Sequence, residues 1–455
     1  MYKKSIVLFR KDLRLKDNKA LHESNKVSAQ VFPLFIFDPR QVSSDNHYKS
    51  DNAIDFMVTS LQELEKESHK HQGIFSFAYG VPHEYLEKVF KKGGIEALFL
   101  NRDYTPFALE RDAKIAQLCR KYNIAYNEYD DGILIKPGTL MTGKNTPYTM
   151  FTPFYKQALK SSIESLDQIK DFRYATKYLE GAGSLHNMLT HFSYEKNRYK
   201  YVKGGVSEAQ QILKGLTQYK NYDKIRDFPS LNTTLLSAHI KFGTVSIRQV
   251  YEAVIKESHN SVLLKQLYWR EFFIYLGYHY PHVFKKAFRK EYQHIDWSFN
   301  NHSFKAWCDG TTGFPIVDAG MRQLNKTGYM HNRVRMIVAS FLTKDLHIDW
   351  RKGEQYFAQK LTDYDPALNN GNWQWAASTG ADAQPYFRIF NPWLQQKKFD
   401  PECIYIKKWV PELRDLSIEK IHTYYKNKDQ IIKNYPLPIV DYATTSAYAK
   451  RFFKK

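Results

Sequence analysis

Over residues 1–130, five short β-rich runs alternate with helical patterns, and this alternation constrains the fold more than any other feature of the chain. The runs are 5–9, 31–38, 75–79, 97–101 and 124–129. Between them, residues 53–66 put Ile54, Val58 and Leu61 on one helical face, and residues 107–122 do the same with Ile115, Leu118 and Tyr122. Strand, helix and strand at such spacings imply a doubly wound parallel sheet, Rossmann-like in layout. The dinucleotide fingerprint GxGxxG and the P-loop GxxxxGK[ST] are both absent from the sequence. The fold alone therefore names no nucleotide.

Residues 131–200 read as a connector. Asp131-Gly132, Pro137-Gly138 and Thr142-Gly143 are turn signals, and residues 161–200 are polar with few apolar periods. A poorly packed excursion between domains is the expectation. From Gly204 onward helical patterns dominate, at 207–216, 247–258, 263–280 and 320–325. The fold class is thus α/β plus all-α: an α/β domain over 1–130, a connector over 131–200 and a helical domain over 201–455. All eight tryptophans lie at or beyond Trp269, so the two domains have different tasks.

Charge narrows the partners. Lys plus Arg number 67 against 47 Asp plus Glu, a net charge of +20. That excess favours a polyanion, nucleic acid before an anionic membrane. Cys119, Cys308 and Cys403 are far apart with no CxxC pair, so neither a disulfide framework nor a zinc site is indicated. No apolar run is long enough to span a bilayer. The opening MYKKSIVLFRKDLRL lacks a signal-type apolar core and reads as a first strand. A monomer in the reducing cytoplasm is expected.

The densest chemistry lies in DYDPALNNGNWQWAASTGADAQPYFRIFNPW, residues 363–393. Trp373 and Trp375 follow an Asn-Asn-Gly-Asn run, then come small residues, then the cluster Tyr386, Phe387, Arg388 and Phe390. Small residues let a bulky ligand approach the backbone, and indoles offer flat apolar faces. A few Asp and Asn groups could orient such a ligand. On composition alone the block reads as a buried aromatic core.

The exact strings say more. VLFRKDLRLKDNKAL from Val7, RDFP from Arg226, LYWREFF from Leu267, GFPIVDAGMRQL from Gly313, GYMHNRVRM from Gly328 and the 363–393 block occur in this order. Together they closely resemble the photolyase/cryptochrome family, nearest the class I enzymes that repair cyclobutane pyrimidine dimers (CPDs). The resemblance implies FAD folded inside the helical domain. It assigns Tyr222, Thr233, Thr234 and Ser237 to the cofactor and its phosphates. It adds Arg270, Asn332, Arg335 with its partner Asp363, and Asp365 to the cofactor site, and sets Asn369 opposite the flavin N5. Taken alone, TTLLS reads equally as a helix cap. An amide at the N5 position can hydrogen-bond a reduced flavin without imposing a negative charge.

The same resemblance makes Trp373, Trp350 and Trp297 an electron route from flavin to surface. It makes Trp269 and Trp375 the walls of a pocket for a flipped-out dimer, with Asn332 and Met336 as its floor. Dimers inside a duplex are out of reach, and flipping the damaged bases out of the stack is the general solution. Arg333, Arg388, Lys397 and Lys398 are candidate phosphate contacts. Reduced FAD would absorb blue or near-UV light, pass an electron to the dimer and recover it after the ring splits. One residue departs from the pattern: Gln266 stands where CPD enzymes carry Glu, and (6-4) photolyases commonly have Gln there. Those enzymes use a histidine pair in the segment that here reads His331, Asn332 and Met336. CPD repair is therefore the leading expectation, with (6-4) repair and cryptochrome-type light sensing as alternatives. The segment 101–112 lacks the Asn-Glu pair that binds folate in some relatives, so a folate, a deazaflavin or no antenna all fit.

Overall fold

The computed structural model describes residues 1–453 apart from 166–168, 170, 299, 427–431 and 433. Five strands, β1 Tyr2–Phe9, β2 Ser28–Phe37, β3 Ser76–Tyr79, β4 Ala97–Asn101 and β5 Ala125–Tyr129, form one sheet in the order β3-β2-β1-β4-β5. Every pairing is parallel. Alternate residues feed two cores. Val7, Phe9, Val31, Phe35, Phe77 and Phe99 pack on one face, and Ile6, Leu8, Leu34, Ile36, Leu98 and Leu100 on the other. Burial on both faces is why these strands read as continuous apolar runs.

The crossover helices are α1 Lys19–Val27, α2 Asp51–Lys70, α3 Pro82–Lys91 and α4 Pro106–Lys121. Ser50 caps α2, and prolines open α3 and α4, where a missing N–H costs nothing. Helix α1 carries no apolar period because its buried face includes His22, Ser24 and Asn25. Ser24 and Asn25 each donate to the Leu21 carbonyl at 2.8 Å, which satisfies them inside the fold.

The connector corrects the expectation of loose packing. Val31 N–H donates to the Arg173 carbonyl at 2.7 Å and Ala175 N–H returns to the Val31 carbonyl at 2.8 Å. Phe77 and Gly183 exchange a second such pair. Tyr174, Ala175 and Leu179 are buried against the sheet. The backbone groups of an exposed edge are thus satisfied by a segment whose side chains look merely polar.

The helical domain contains α5 Leu236–Phe242, α6 Ser261–His279, α7 Pro315–Thr327, α8 Asn332–Ser340, α9 Trp350–Lys360, α10 Pro366–Ala376 and α11 Tyr442–Phe452, among other helices and turns. Its largest core gathers Trp307, Trp350, Phe357 and Trp373. The domains meet at the carboxyl end of β1. Gly243 ends α5 at φ +67°, and a Cβ there would sit 2.1 Å from the Lys11 carbonyl oxygen. Asp131 pairs with Arg14 at 2.5 Å and Arg248 at 2.6 Å, all three side chains being nearly inaccessible. Among the described residues no helix is long and apolar enough to cross a membrane.

Candidate functional site

Four helices of the second domain bring the expected cofactor residues together. Arg335 on α8 reaches Asp363 at 3.0 Å, and its Nε donates to the Met330 carbonyl at 2.8 Å. The Ser237 hydroxyl on α5 donates to the same carboxylate. Burial tends to raise the Asp363 pKa, but Arg335, Ser237 and nearby Lys241 outweigh it and hold the carboxyl below its ordinary range. Burial pushes the Lys241 amine down to about 7.

Thr233 and Tyr329 share a hydroxyl hydrogen bond at 3.0 Å, and Tyr222 stands half-buried close by, edge-on to Tyr219. The helix cap that TTLLS suggests is realised differently. Leu235, in the left-handed region at φ 56°, precedes α5 with no side-chain cap, and Thr234 Oγ1 accepts only a long bond of 3.5 Å from Leu236 N–H. Hydroxyls and loosely engaged N–H groups at a helix start suit a pyrophosphate.

Asp365 caps α10, accepting from Ala367 N–H at 3.0 Å and Leu368 N–H at 3.3 Å, and lies 3.8 Å from Lys11 of the other domain. Arg270 turns to the domain seam, pairing with Glu271 at 2.6 Å and donating to the Gly132 carbonyl at 2.7 Å. Arg270 and Asp365 line a cavity of ≈ 60 Å³ together with Arg10, Lys11, Asp103 and Tyr104. Flavin-sized pockets are nearer 300 to 1,000 Å³, to order of magnitude.

Asn369 is oriented by a residue that the sequence did not bring forward. Its Nδ2 donates to the Glu354 carbonyl oxygen at 3.0 Å and to Glu354 Oε1 at 2.9 Å. With both amide hydrogens engaged, the amide oxygen is the group left to accept a bond from a ligand. Glu354 lies on the buried face of α9 with Trp350, Gly353, Phe357 and Ala358. An acid on an apolar helical stripe was the signal that could have found it.

The three tryptophans share one core. Trp373 is 2% and Trp350 3% exposed, while Trp297 is half-buried and packs on the same cluster. Ser298 bridges to Ile348, and its N–H donates to the His347 carbonyl at 3.0 Å, which sets Trp297 beside the segment leading into Trp350. Gly353 lies three residues beyond Trp350 on the same helix, and a Cβ there would fall 2.2 Å from the Trp373 ring. The Trp373 ring therefore packs on the turn of α9 that begins at Trp350.

The expected pocket residues scatter more. Trp269 stacks on Phe151 with centroids 3.7 Å apart, while Trp375 packs against the other core. Asn332 is exposed, and its Nδ2 lies 3.8 Å from Met336 Sδ one turn along α8. Gln266 donates back to the Val262 carbonyl of its own helix at 2.9 Å. Arg333 pairs with Asp227 at 2.8 Å and lies 4.3 Å over the Phe399 ring. Arg388, Lys397 and Lys398 are exposed, and Phe387 beside Arg388 is 59% exposed.

In their chemistry these residues fit FAD: hydroxyls at an uncapped helix start for phosphates, a part-buried ion pair for polar anchoring, and an amide oxygen presented from α10. Comparison with known proteins agrees. Residues 5–170 match the DNA photolyase family model, and residues 263–455 match that of the FAD binding domain of DNA photolyase. The chain is 38% identical to the deoxyribodipyrimidine photo-lyase of Escherichia coli (strain K12), covering 96% of this chain and 95% of that one. An archaeal photolyase from Sulfolobus tokodaii, whose crystal structure holds two FAD molecules with the implication of a novel light-harvesting cofactor, is 41% identical. It superposes with a TM-score of 0.90 over 99% of both chains. A bacterial class III photolyase from Agrobacterium tumefaciens is 35% identical, with a TM-score of 0.91 over 100% of this chain and 98% of that one.

Proposed function

The chain belongs to the photolyase/cryptochrome family, and from that premise we propose how its residues carry out light-dependent repair of UV-damaged DNA. The activity is that of a deoxyribodipyrimidine photo-lyase with FAD as cofactor, and the substrate is the cyclobutane dimer. When bound and reduced, FAD supplies the light-driven electron that opens the dimer. Every other part of the task falls to the protein. Ser237, Arg335 and Asp363 anchor the cofactor, with Tyr222, Thr233, Thr234, Arg270, Asn332 and Asp365 around it. Asn369 accepts a hydrogen bond from the cofactor through its amide oxygen. Trp297, Trp350 and Trp373 conduct electrons inward from the surface. The observation that carries the reading is the hydrogen bond that ties this amide to Glu354 of α9, the helix that also carries Trp350 into the core shared with Trp373 and Trp297.

On the DNA side, Trp269 and Trp375 would wall the lesion pocket, with Asn332 and Met336 as its floor and Gln266 donating to a pyrimidine carbonyl. Exposed Phe387 wedges into the duplex opened by flipping, an ordinary use of an apolar side chain. Arg388 and Lys397 hold phosphates, with Arg333 at the rim. His331 bears on the alternative of (6-4) repair. Burial lowers its pKa to about 4, and its Nδ1 caps α8 by accepting from Arg333 N–H at 3.2 Å. A neutral imidazole committed to a helix end is unsuited to act as an acid, which favours the CPD substrate despite Gln266. A second chromophore, a folate or a deazaflavin, belongs at the carboxyl ends of β1 and β4, where an open parallel sheet takes ligands. The protein works as a monomer in the cytoplasm, its three buried cysteines remaining thiols.

The test is photorepair of a short DNA carrying one defined thymine dimer, using the reduced holoprotein and a dark control. Light-dependent restoration of intact thymines is expected. No repair with FAD bound and reduced would overturn the CPD assignment.

A further inference from the structure

Glu354 is an acid inside the apolar face of α9, 5% exposed, and such a group needs partners. One is Asn369, whose Nδ2 donates to the Glu354 carboxyl at 2.9 Å and to the Glu354 backbone carbonyl at 3.0 Å. The other comes from the opposite domain. The Tyr48 hydroxyl, in the segment before α2, donates to the Glu354 carboxyl, and its ring lies 6.2 Å from that of Tyr364. Tyr48 is also 41% exposed, so this residue joins solvent to a buried carboxyl.

The groups facing Glu354 are Tyr48 from the α/β domain, Tyr364 from the turn between α9 and α10, and Asn369 from α10. Asp365 acts on Tyr364 from beyond it. Both tyrosines stay protonated, Tyr48 being pushed up to about 12 by burial and by the Glu354 charge. None of these groups is a cation. Burial therefore dominates, and the Glu354 carboxyl is pushed up to about 7, with the Asn369 and Tyr48 hydrogen bonds opposing it.

We propose that Tyr48 and Glu354 are positioning residues for Asn369, and that the row Tyr48–Glu354–Asn369 ties the redox preference of the bound flavin to solvent pH through a contact between the two domains. The proposal rests on the assignment of Asn369 to the flavin N5. Locked by Glu354, the Asn369 oxygen can only accept a bond, so it favours flavin forms that carry a proton there. An ionised Glu354 adds a negative charge behind the amide, and a neutral one does not. The flavin potential should therefore rise as Glu354 takes up its proton.

The experiment compares wild type, Tyr48→Phe, Glu354→Gln and Asn369→Ser as FAD-loaded full-length proteins. The flavin midpoint potential is followed by spectroelectrochemistry across the neutral pH range. In parallel, the protonated-carboxyl infrared band is followed in cofactor-free wild type and Glu354→Gln. Wild type is expected to show an inflection near neutrality and a carboxyl band that Glu354→Gln lacks. Glu354→Gln keeps an acceptor for the amide but loses the inflection. Tyr48→Phe keeps its ring against Tyr364 yet removes a donor to the charged form, so the inflection moves to higher pH. If Asn369→Ser changes the potential while the other two variants track wild type, the relay is wrong and the N5 assignment stands. If Asn369→Ser also leaves the potential unmoved, the N5 assignment fails and takes the proposal with it. Both substitutions in the relay are near-isosteric, and circular dichroism of each variant verifies the fold.

Discussion

Phe151 lies flat on Trp269, with ring centroids 3.7 Å apart and planes within 6°. Phe151 comes from a short helix of the connector and Trp269 from α6, so the connector backs one wall of the proposed lesion pocket. Phe151 is 1% exposed, and truncating such a ring to Ala costs about 3–5 kcal/mol, enough to blur a binding measurement. Phe151→Leu fills most of the space but removes the flat backing. Its expected effect is severalfold weaker binding of dimer-containing DNA, with undamaged DNA bound as before. Equal weakening on both DNAs would show that the stack serves only the fold.

The Arg335–Asp363 pair makes stability depend on pH in a defined direction. Asp363 is held below its ordinary carboxylate value, near 3.9 in an unfolded chain. Its contribution is complete above that value and is lost as pH falls through the lower, folded one. Thermal unfolding of wild type and Asp363→Asn should therefore differ by a constant margin above about pH 5 and converge in more acid solution. A margin that persists unchanged at low pH would mean the ionised carboxylate is not what Asp363 contributes.

Gly353 is where α9 and the Trp373 ring touch. A Cβ would meet that ring at 2.2 Å and Leu342 Cδ2 at 2.5 Å, and neither neighbour can withdraw from a filled core. Overpacking of this kind costs about 1–3 kcal/mol. Gly353→Ala should lower the thermal midpoint and slow flavin photoreduction, because the innermost indole is displaced. A destabilised variant with unaltered photoreduction would argue that Trp373 is not the donor next to the flavin.

How much of this could be read in advance follows from where each contact lies along the chain. The parallel sheet was legible because strands buried on both faces are written as local apolar runs such as IVLF and LFIF. The motif strings brought Arg335 and Asp363 forward because each sits in one of them, over 328–336 and 363–393, and Trp373 shares the second, whereas Trp350 lies outside every string. Helix α1 was not legible, since its buried side chains are polar and satisfied by hydrogen bonds that only the folded chain supplies. Nor was the connector, whose grip on the sheet edge is made by backbone groups common to every sequence. Tyr48 and Glu354 lie more than three hundred positions apart, and no local pattern announces a hydrogen bond across a domain boundary. Phe151 against Trp269 is hidden for the same reason.

The basic surface makes a prediction that separates two kinds of arginine. Each phosphate contact releases condensed counterions, so affinity for DNA falls with salt, and losing one contact flattens the slope of log K against log salt by about 1. Among the described residues neither Arg388 nor Lys397 forms an ion pair, and both are exposed. Arg333 is already held by Asp227 at 2.8 Å and lies over Phe399. Arg388→Ala and Lys397→Ala should each flatten the slope, weakening damaged and undamaged DNA alike. Arg333→Ala should leave the slope nearly unchanged, because its charge is offset before DNA arrives, and should act instead through the packing of α8 against Phe399. Titrations of a fluorescent duplex over a range of salt concentrations decide between them. A slope lost with Arg333 but not with Arg388 would mean that Asp227 gives up its partner on binding and that the exposed loop carries no phosphate.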